Sequence, residues 1–273
     1  MNKLSIEKRA QVVSCLVEGN SIRATVRMTG VAKNTVVKLL CDLGRACSQY
    51  QDKVLRNLPC KRIQCDEIWT FVYAKEKNCP IEKKIKGGGD AWTHVAIDAD
   101  TKLVPSWFVG ERNITTAYHF MLELKTRLAN RVQLTTDGHR AYLNAVDDVF
   151  GTEIDYATLV KLYATTSTRP ETRYSPAKCT GTIRTVISGN PDQCHVSTSL
   201  VERQNLTMRM QMRRFTRLTN AFSKKLENLE HALALHYMHY NFCRIHQSLR
   251  VTPAMEAGVS DHVWSLEEVI DLL

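Results

Sequence analysis

The stretch Ile63-Gln64-Cys65-Asp66-Glu67-Ile68-Trp69-Thr70-Phe71-Val72-Tyr73 decides how the rest of the chain is read. It is rich in β-branched and aromatic residues, which suit a pleated, half-buried backbone, and it predicts a strand. Ile63, Ile68 and Trp69 bracket two acids, Asp66 and Glu67. A carboxylate among such neighbours is costly unless it is paired or metal-bound. Successive side chains point to opposite faces of a strand, so the two acids are expected on opposite faces. Pattern alone does not choose between them.

Working outward, strands are expected at 92–97, after a loop containing Gly87-Gly88-Gly89, and at 103–109. An amphipathic helix over 115–128 follows, with Ala117, Phe120, Met121, Leu124 and Leu128 on one face. A fourth strand over 131–136 ends at Asp137-Gly138; then come a helix at 141–150 and a strand at 156–163. Three strands followed by helix, strand, helix and strand give an α/β fold, a mixed sheet with helices on both faces. That order is the order of ribonuclease-H-like folds. Residues 164–198 show little periodicity and read as an insertion or loop. Helices are expected at 198–214 and 223–244, the latter with Leu226, Leu229, Leu233, Tyr237 and Tyr240 on its core face. Ser265 and Glu268 have capping-box spacing for a last short helix.

The first 50 residues are helical and basic. Ser5 caps a first helix that ends at Gly19-Asn20, Ser21 caps a short second one, and Thr29-Gly30-Val31 turns into a third opened by Lys33 or Asn34. This is the helix-turn-helix pattern, with Lys33, Asn34, Thr35 and Lys38 turned outward to DNA. The plain alternative is a three-helix bundle with a solvated basic face. The expected division is therefore 1–50 as an N-terminal all-α domain, 51–61 as a polar linker, 62–250 as the sheet domain with the 164–198 insertion, and 251–273 as a tail with a short helix.

The net charge of +9 calls for a polyanionic partner, of which nucleic acid is the commonest. The nine cysteines are scattered without a C-x-x-C pair, which argues for reduced thiols and against a structural zinc site. No apolar run has the length of a membrane span, and the first ten residues lack the apolar core of a signal peptide. The expectation is a cytoplasmic protein without a membrane partner.

Phosphodiester chemistry requires an activated oxygen nucleophile and a stabilised leaving oxygen, and a pair of Mg²⁺ ions on a few carboxylates supplies both. Three acids are placed for it. Asp66 lies within a strand. Asp137 ends another at a Gly turn, a position that equally suits a turn residue or helix cap. Glu202 opens a helix, where an acid also meets the helix dipole. Arg203, Arg209, Arg213, Arg214 and Arg217 follow Glu202 without an intervening acid, a one-sidedness that makes sense against phosphates. Positions 202, 205, 209 and 213 share one helical face, which brings Asn205 and Arg209 alongside Glu202. His139 and His195 lie near the acids as proton shuttles or phosphate donors, whereas His231, His236 and His239 read as packing or surface groups.

The run Cys65-Asp66-Glu67-Ile68-Trp69, the turn Thr135-Thr136-Asp137-Gly138-His139 and the long stretch 199–220 with its Glu202-Arg203-Gln204-Asn205 resemble the IS1-family insertion-sequence transposases. So do His246-Gln247-Ser248-Leu249-Arg250 and Thr252-Pro253-Ala254; the resemblance spans about residues 60–270. It implies a ribonuclease-H-like catalytic core with Asp66, Asp137 and Glu202 as an acidic (DDE) triad, selecting Asp66 over Glu67. It implies Mg²⁺, with Mn²⁺ able to substitute, and cleavage and strand transfer at terminal inverted repeats of double-stranded DNA. Joining two ends implies a homo-oligomer, although no oligomer motif is visible. The N-terminal zinc finger of many members is missing here. Two rivals remain: a helix-turn-helix regulator that has lost catalysis, and a ribonuclease-H-like nuclease that cuts without joining.

Overall fold

The computed structural model describes residues 4–163, 179–216 and 218–273. Six strands make one sheet: β1 (Arg62–Val72), β2 (Gly89–Asp98), β3 (Ser106–Gly110), β4 (Gln133–Thr136), β5 (Asp155–Tyr163) and β6 (Cys179–Ser188), in the order β3-β2-β1-β4-β5-β6. β1, β2 and β3 are antiparallel neighbours, β4 and β5 run parallel to β1, and β6 returns antiparallel to β5. Parallel neighbours need a crossover. Helix α5 (Ile114–Lys125) leads into β4 and α6 (Arg140–Phe150) links β4 to β5. The expected ribonuclease-H-like mixed sheet flanked by helices is the fold observed, and a one-turn helix, α4 (Ile81–Lys84), sits between β1 and β2.

The alternation of β1 sorts the layers. Gln64 and Asp66 face α7 (Ser199–Gln211): the Gln64 side-chain oxygen accepts from the backbone of Leu200 at 2.9 Å, and Asn205 donates to Asp66. On the same face the Trp107 ring of β3 lies 4.7 Å from the Tyr237 ring of α8 (Leu226–Met238), tilted by 31°. The opposite face carries α5 and α6, where His94, paired in register with Glu67, bonds Tyr142 at 2.8 Å. α8 continues into a π-helical turn, His239–Cys243, close to the end expected for it, though Leu226 is only half-buried. That turn aims the buried Asn241 at the loop before β3: its amide accepts from the Val104 N–H and donates to the Val104 carbonyl, each at 3.0 Å.

At the N-terminus α1 (Ile6–Val17), α2 (Ile22–Thr29) and α3 (Lys33–Val54) appear where the caps placed them. Ser5 accepts from Lys8 and Ser21 from Ala24, and Gly30 closes α2 at φ 71°, a left-handed turn that glycine adopts without penalty. The expected linker at 51–61 is not one. α3 continues to Val54, buried Gln51 donates to the Ala234 carbonyl at 3.0 Å, and Leu55 and Leu58 are buried. α3 lies so close to α8 that a Cβ at Gly44 would stand 2.5 Å from the His231 carbonyl oxygen. One apolar cluster therefore runs from α1 through the sheet to α8. The expected tail belongs to it too: α9 (Pro253–Glu256) and α10 (Leu266–Ile270) bury Ala254, Val269 and Ile270, and Ser265 and Glu268 form the anticipated capping box.

The reading of 164–198 as a loop needs a second correction. Its residues 164–178 lie outside the described residues, but 179–188 form β6. β6 is exposed along most of its length, so it lacks the apolar alternation from which a strand is recognised.

Candidate active site

β1 and β4 are parallel neighbours with Cys65 opposite Thr136. The next residue on each is an acid, so register alone sets Asp66 beside Asp137 where β4 ends. This is the carboxyl end of parallel strands, where open α/β sheets place their sites. One Asp66 oxygen accepts from the Glu67 N–H at 2.8 Å and the other from the Asn205 amide at 2.9 Å. Asp137 accepts from the His139 N–H at 2.9 Å. Burial pushes the Asp66 carboxyl up to about 7, and Glu67, Asp137 and Glu202 add to the rise. Asp137 is also raised, by burial first and then by Glu67.

Glu67 departs from expectation. Its backbone direction is opposite to that of Asp66, yet its carboxyl comes close to those of Asp66 and Asp137. Asp66, Glu67 and Asp137 offer oxygens that all lie within 4.8 Å of one another. Glu67 is buried and ion-paired to Arg112, and its second oxygen has no hydrogen-bond partner. The Arg112 guanidinium also lies 3.9 Å from Asp137 and 5.0 Å from the centre of the Trp92 ring.

Glu202 lines the same open cleft of about 810 Å³ as Asp66 and Asp137 but stands apart from the tight cluster. It accepts from the Thr198 hydroxyl at 2.7 Å and forms an ion pair with Lys161 of β5. α7 is seated by Gln64, whose side chain meets the Leu200 and Val201 amides at the helix start, and this turns Glu202 toward the strand ends. Sequence reasoning missed Lys161, Arg112, Thr198 and Gln64. Gln64 had a signal: it shares the Asp66 face of β1, where a polar residue needs a partner. Lys161 had none, because a lysine near a strand end reads as solvated.

The other expected contacts divide. Lys33, Asn34, Thr35 and Lys38 are exposed on the first turns of α3, and Lys38 pairs with Asp42. Arg213 is exposed. Asn205 is not turned to solvent as expected for a DNA contact: it is buried and holds Asp66. Arg209 is half-buried and donates to the Phe215 carbonyl at 3.3 Å. α7 ends at Gln211, short of the expected helix end, so Arg213 and Arg214 fall on a separate turn, Arg213–Phe215. Arg214 is half-buried and donates to Ser223 at 2.9 Å. Arg217 lies outside the described residues. His139 lines the cleft, whereas His195 pairs with Asp192 on the surface. His236 is buried in the helical layer, as its packing role requires. All nine cysteines are free, and no helix among the described residues is long and apolar enough to cross a membrane.

A divalent cation fits this donor set. Three carboxyl groups converge, two of them with raised proton affinity, and one buried oxygen is unpartnered. Such oxygens are the ligands hard cations take.

No protein-family model matches the chain, and no curated relative matches it by sequence. Among solved structures it is similar to a chain of the simian T-cell lymphotropic virus intasome in complex with PP2A regulatory subunit B56 gamma, at 15% identity and a TM-score of 0.41 over 91% of this chain and 74% of that one. It is similar to a chain of the piggyBac transposase synaptic complex with hairpin DNA, at 11% identity and a TM-score of 0.42 over 100% of this chain and 71% of that one. A third likeness is to the Mos1 transposase paired-end complex with left transposon end, at 13% identity and a TM-score of 0.24 over 57% and 60% of the two chains.

Proposed function

We propose that the chain is a DDE-type transposase of the IS1 kind, which binds the terminal inverted repeats of an insertion sequence and cuts and joins DNA strands in the cytoplasm. The observation that carries this reading is the register of β1 and β4, which sets Asp66 and Asp137 side by side with Glu202 across the same cleft. The net charge of +9 and the exposed basic start of α3 suit a DNA substrate.

Asp66 and Asp137 would hold the metal, with Glu202 completing the set once Lys161 gives way. Mg²⁺, or Mn²⁺ in its place, would activate the attacking oxygen and stabilise the leaving one. The chain's own groups do the rest. Asn205 fixes the carboxyl plane of Asp66, Arg112 offsets the charge of Glu67 beside it, and Gln64 holds the helix that carries Glu202. Lys161, freed from Glu202, faces the cleft as a phosphate contact. Joining two ends requires more than one copy of the chain.

The test is incubation of the full chain with the terminal repeats that flank its gene, with Mg²⁺ or Mn²⁺, scoring cut and joined products. Cut and joined products, lost in Asp66→Ala, are expected. Cuts without joined products would replace the reading by a nuclease, and neither product, with DNA binding intact, by a regulator.

A further inference from the structure

A second cleft, of about 860 Å³, lies between the starts of α2 and α3 and residues 213, 214 and 218–224. Among the described residues five basic side chains line it, Arg23, Lys33, Arg213, Arg214 and Lys224, and no acid does. All of them except the half-buried Arg214 are exposed. Lys224 is held over the Phe222 ring, 3.7 Å from its centre, and Arg214 is anchored on Ser223. α3 opens behind Ala32, which has no side-chain cap, and Lys33, its first residue, lines the cleft. The positive end of a helix with uncapped amides adds to the attraction for anions.

The cleft is tied to the candidate active site through β1. The Thr70 hydroxyl donates to the Arg214 carbonyl at 3.1 Å, and the Tyr73 N–H donates to the Ser223 carbonyl at 2.8 Å. Thr70 lies four residues beyond Asp66 on the same face of the strand. At the rise of an extended chain that is ~13 Å, and Tyr73 is ~23 Å away. Successive phosphates of one DNA strand are about 3.4 Å apart along the helix axis, so the cleft begins about four nucleotides from Asp66. Gln51 and Gly44 seat α3 on α8.

We infer that this cleft is a second DNA-binding site, which grips the phosphodiester backbone of the duplex whose reacting phosphate lies at Asp66 of the same chain. The inference rests on the proposed function for its substrate, and adds where the duplex runs and that one chain both holds and cuts it.

Two measurements test it on the full chain. The first is binding of a fluorescent duplex of arbitrary sequence across a salt series without divalent metal. Arg213→Glu with Lys224→Glu should lower the slope of log affinity against log salt by about two units. Lys53→Glu with Lys61→Glu, exposed lysines outside the cleft, makes the same change in net charge and should retain most of the slope. Equal slopes for the two double variants, with equal thermal melts, would overturn the site. This binding test stands even if the wild type cuts nothing, so failure of the transposase reading is distinguishable from failure of the cleft. The second measurement mixes the Arg213→Glu, Lys224→Glu chain with Asp66→Ala and scores cutting at the terminal repeats. No recovery is expected when holding and cutting belong to one chain. Restored cutting would show that one copy holds the DNA that another cuts, and would overturn the same-chain path.

Discussion

The α3–α8 seam and the strand-end cleft solve opposite problems with the same backbone. At the seam most groups serve adhesion: Leu39, Leu40, Leu43 and Cys47 are buried, Gly44 lets the helices touch, and the Gln51 amide N–H finds the Ala234 carbonyl, though its own oxygen has no partner. At the cleft three carboxyl groups crowd together, one oxygen of Glu67 has no partner, and burial holds Asp66 at about 7. Such an arrangement costs stability in the free protein, and the proposed metal would complete it. Stability and chemistry are therefore separable here, and substitutions in the two regions should break different properties.

The largest effect expected is at Asp66. Asp66→Ala should lose strand cleavage on the order of 10³-fold, about 4 kcal/mol of barrier, while its thermal melt in metal-free buffer is no lower than the wild type's. Single-turnover cleavage with a parallel melt checks it, and a variant that cuts normally ends the assignment. Gly44→Val should do the reverse. It forces a side chain into the His231 backbone and should cost about 3 kcal/mol in chemical denaturation. If Gly44→Val is neutral, the seam is looser than its geometry implies.

Asn205→Ala sharpens the comparison, because Asn205 touches Asp66 without lining the cleft. Partners that orient ligands typically cost about 10- to 100-fold when removed. The expected loss is in Mg²⁺ affinity or cleavage at limiting metal, partly recovered at high Mg²⁺; a loss that metal does not recover would give Asn205 another role.

Acid titration gives a smaller signature. The folded protein holds the Asp66 proton to about pH 7, whereas the unfolded chain releases it near 3.8. Between those values the folded state binds more protons, so this group's contribution to stability is full below pH 3.8 and is lost as pH rises toward 7. Relative to wild type, metal-free Asp66→Asn should thus gain stability as pH rises across that window. Denaturation at pH 4 and pH 8 reads it, and a gap that shrinks with rising pH reverses the sign. The smallest effect on folding belongs to Lys38→Ala, which removes an exposed pair with Asp42 and should change stability by less than ~0.5 kcal/mol. Its consequence should appear in DNA binding, as a salt slope lower by about one unit if Lys38 meets a phosphate. Unchanged binding to both terminal repeats and arbitrary duplex would remove Lys38 from the interface.

What was legible in the sequence follows from how local the causes are. Strand β1, the Asp137-Gly138 turn and the caps at Ser5, Ser21 and Ser265 depend on neighbours within a few residues, and each appears where expected. Gln51, Asp52 and Lys53 look like a solvated linker because the group that satisfies Gln51 is in α8. The convergence of Glu67 on Asp66 was hidden by the rule that adjacent strand residues diverge. That rule describes Cβ directions, and the longer Glu67 side chain can still bring its carboxyl near that of Asp66. The Lys161–Glu202 pair joins β5 to α7 and left no trace in either segment.

Asn241 places a condition on how this chain can change over time. Its amide supplies Val104 with both a donor and an acceptor, standing in for an absent strand in a place water does not reach. The π-helical turn that aims it is a fixed number of residues from the seam, so α8 acts as a ruler. Removing one residue from α8 would turn Asn241 by about 100° and draw it back about 1.5 Å, leaving both Val104 groups unpaired at once. Point substitutions along α8 remain open to drift, but single-residue insertions and deletions do not. Length variation among descendants of this chain should therefore collect away from α8, for example around the exposed Ile81 and Ile85 in the connection between β1 and β2.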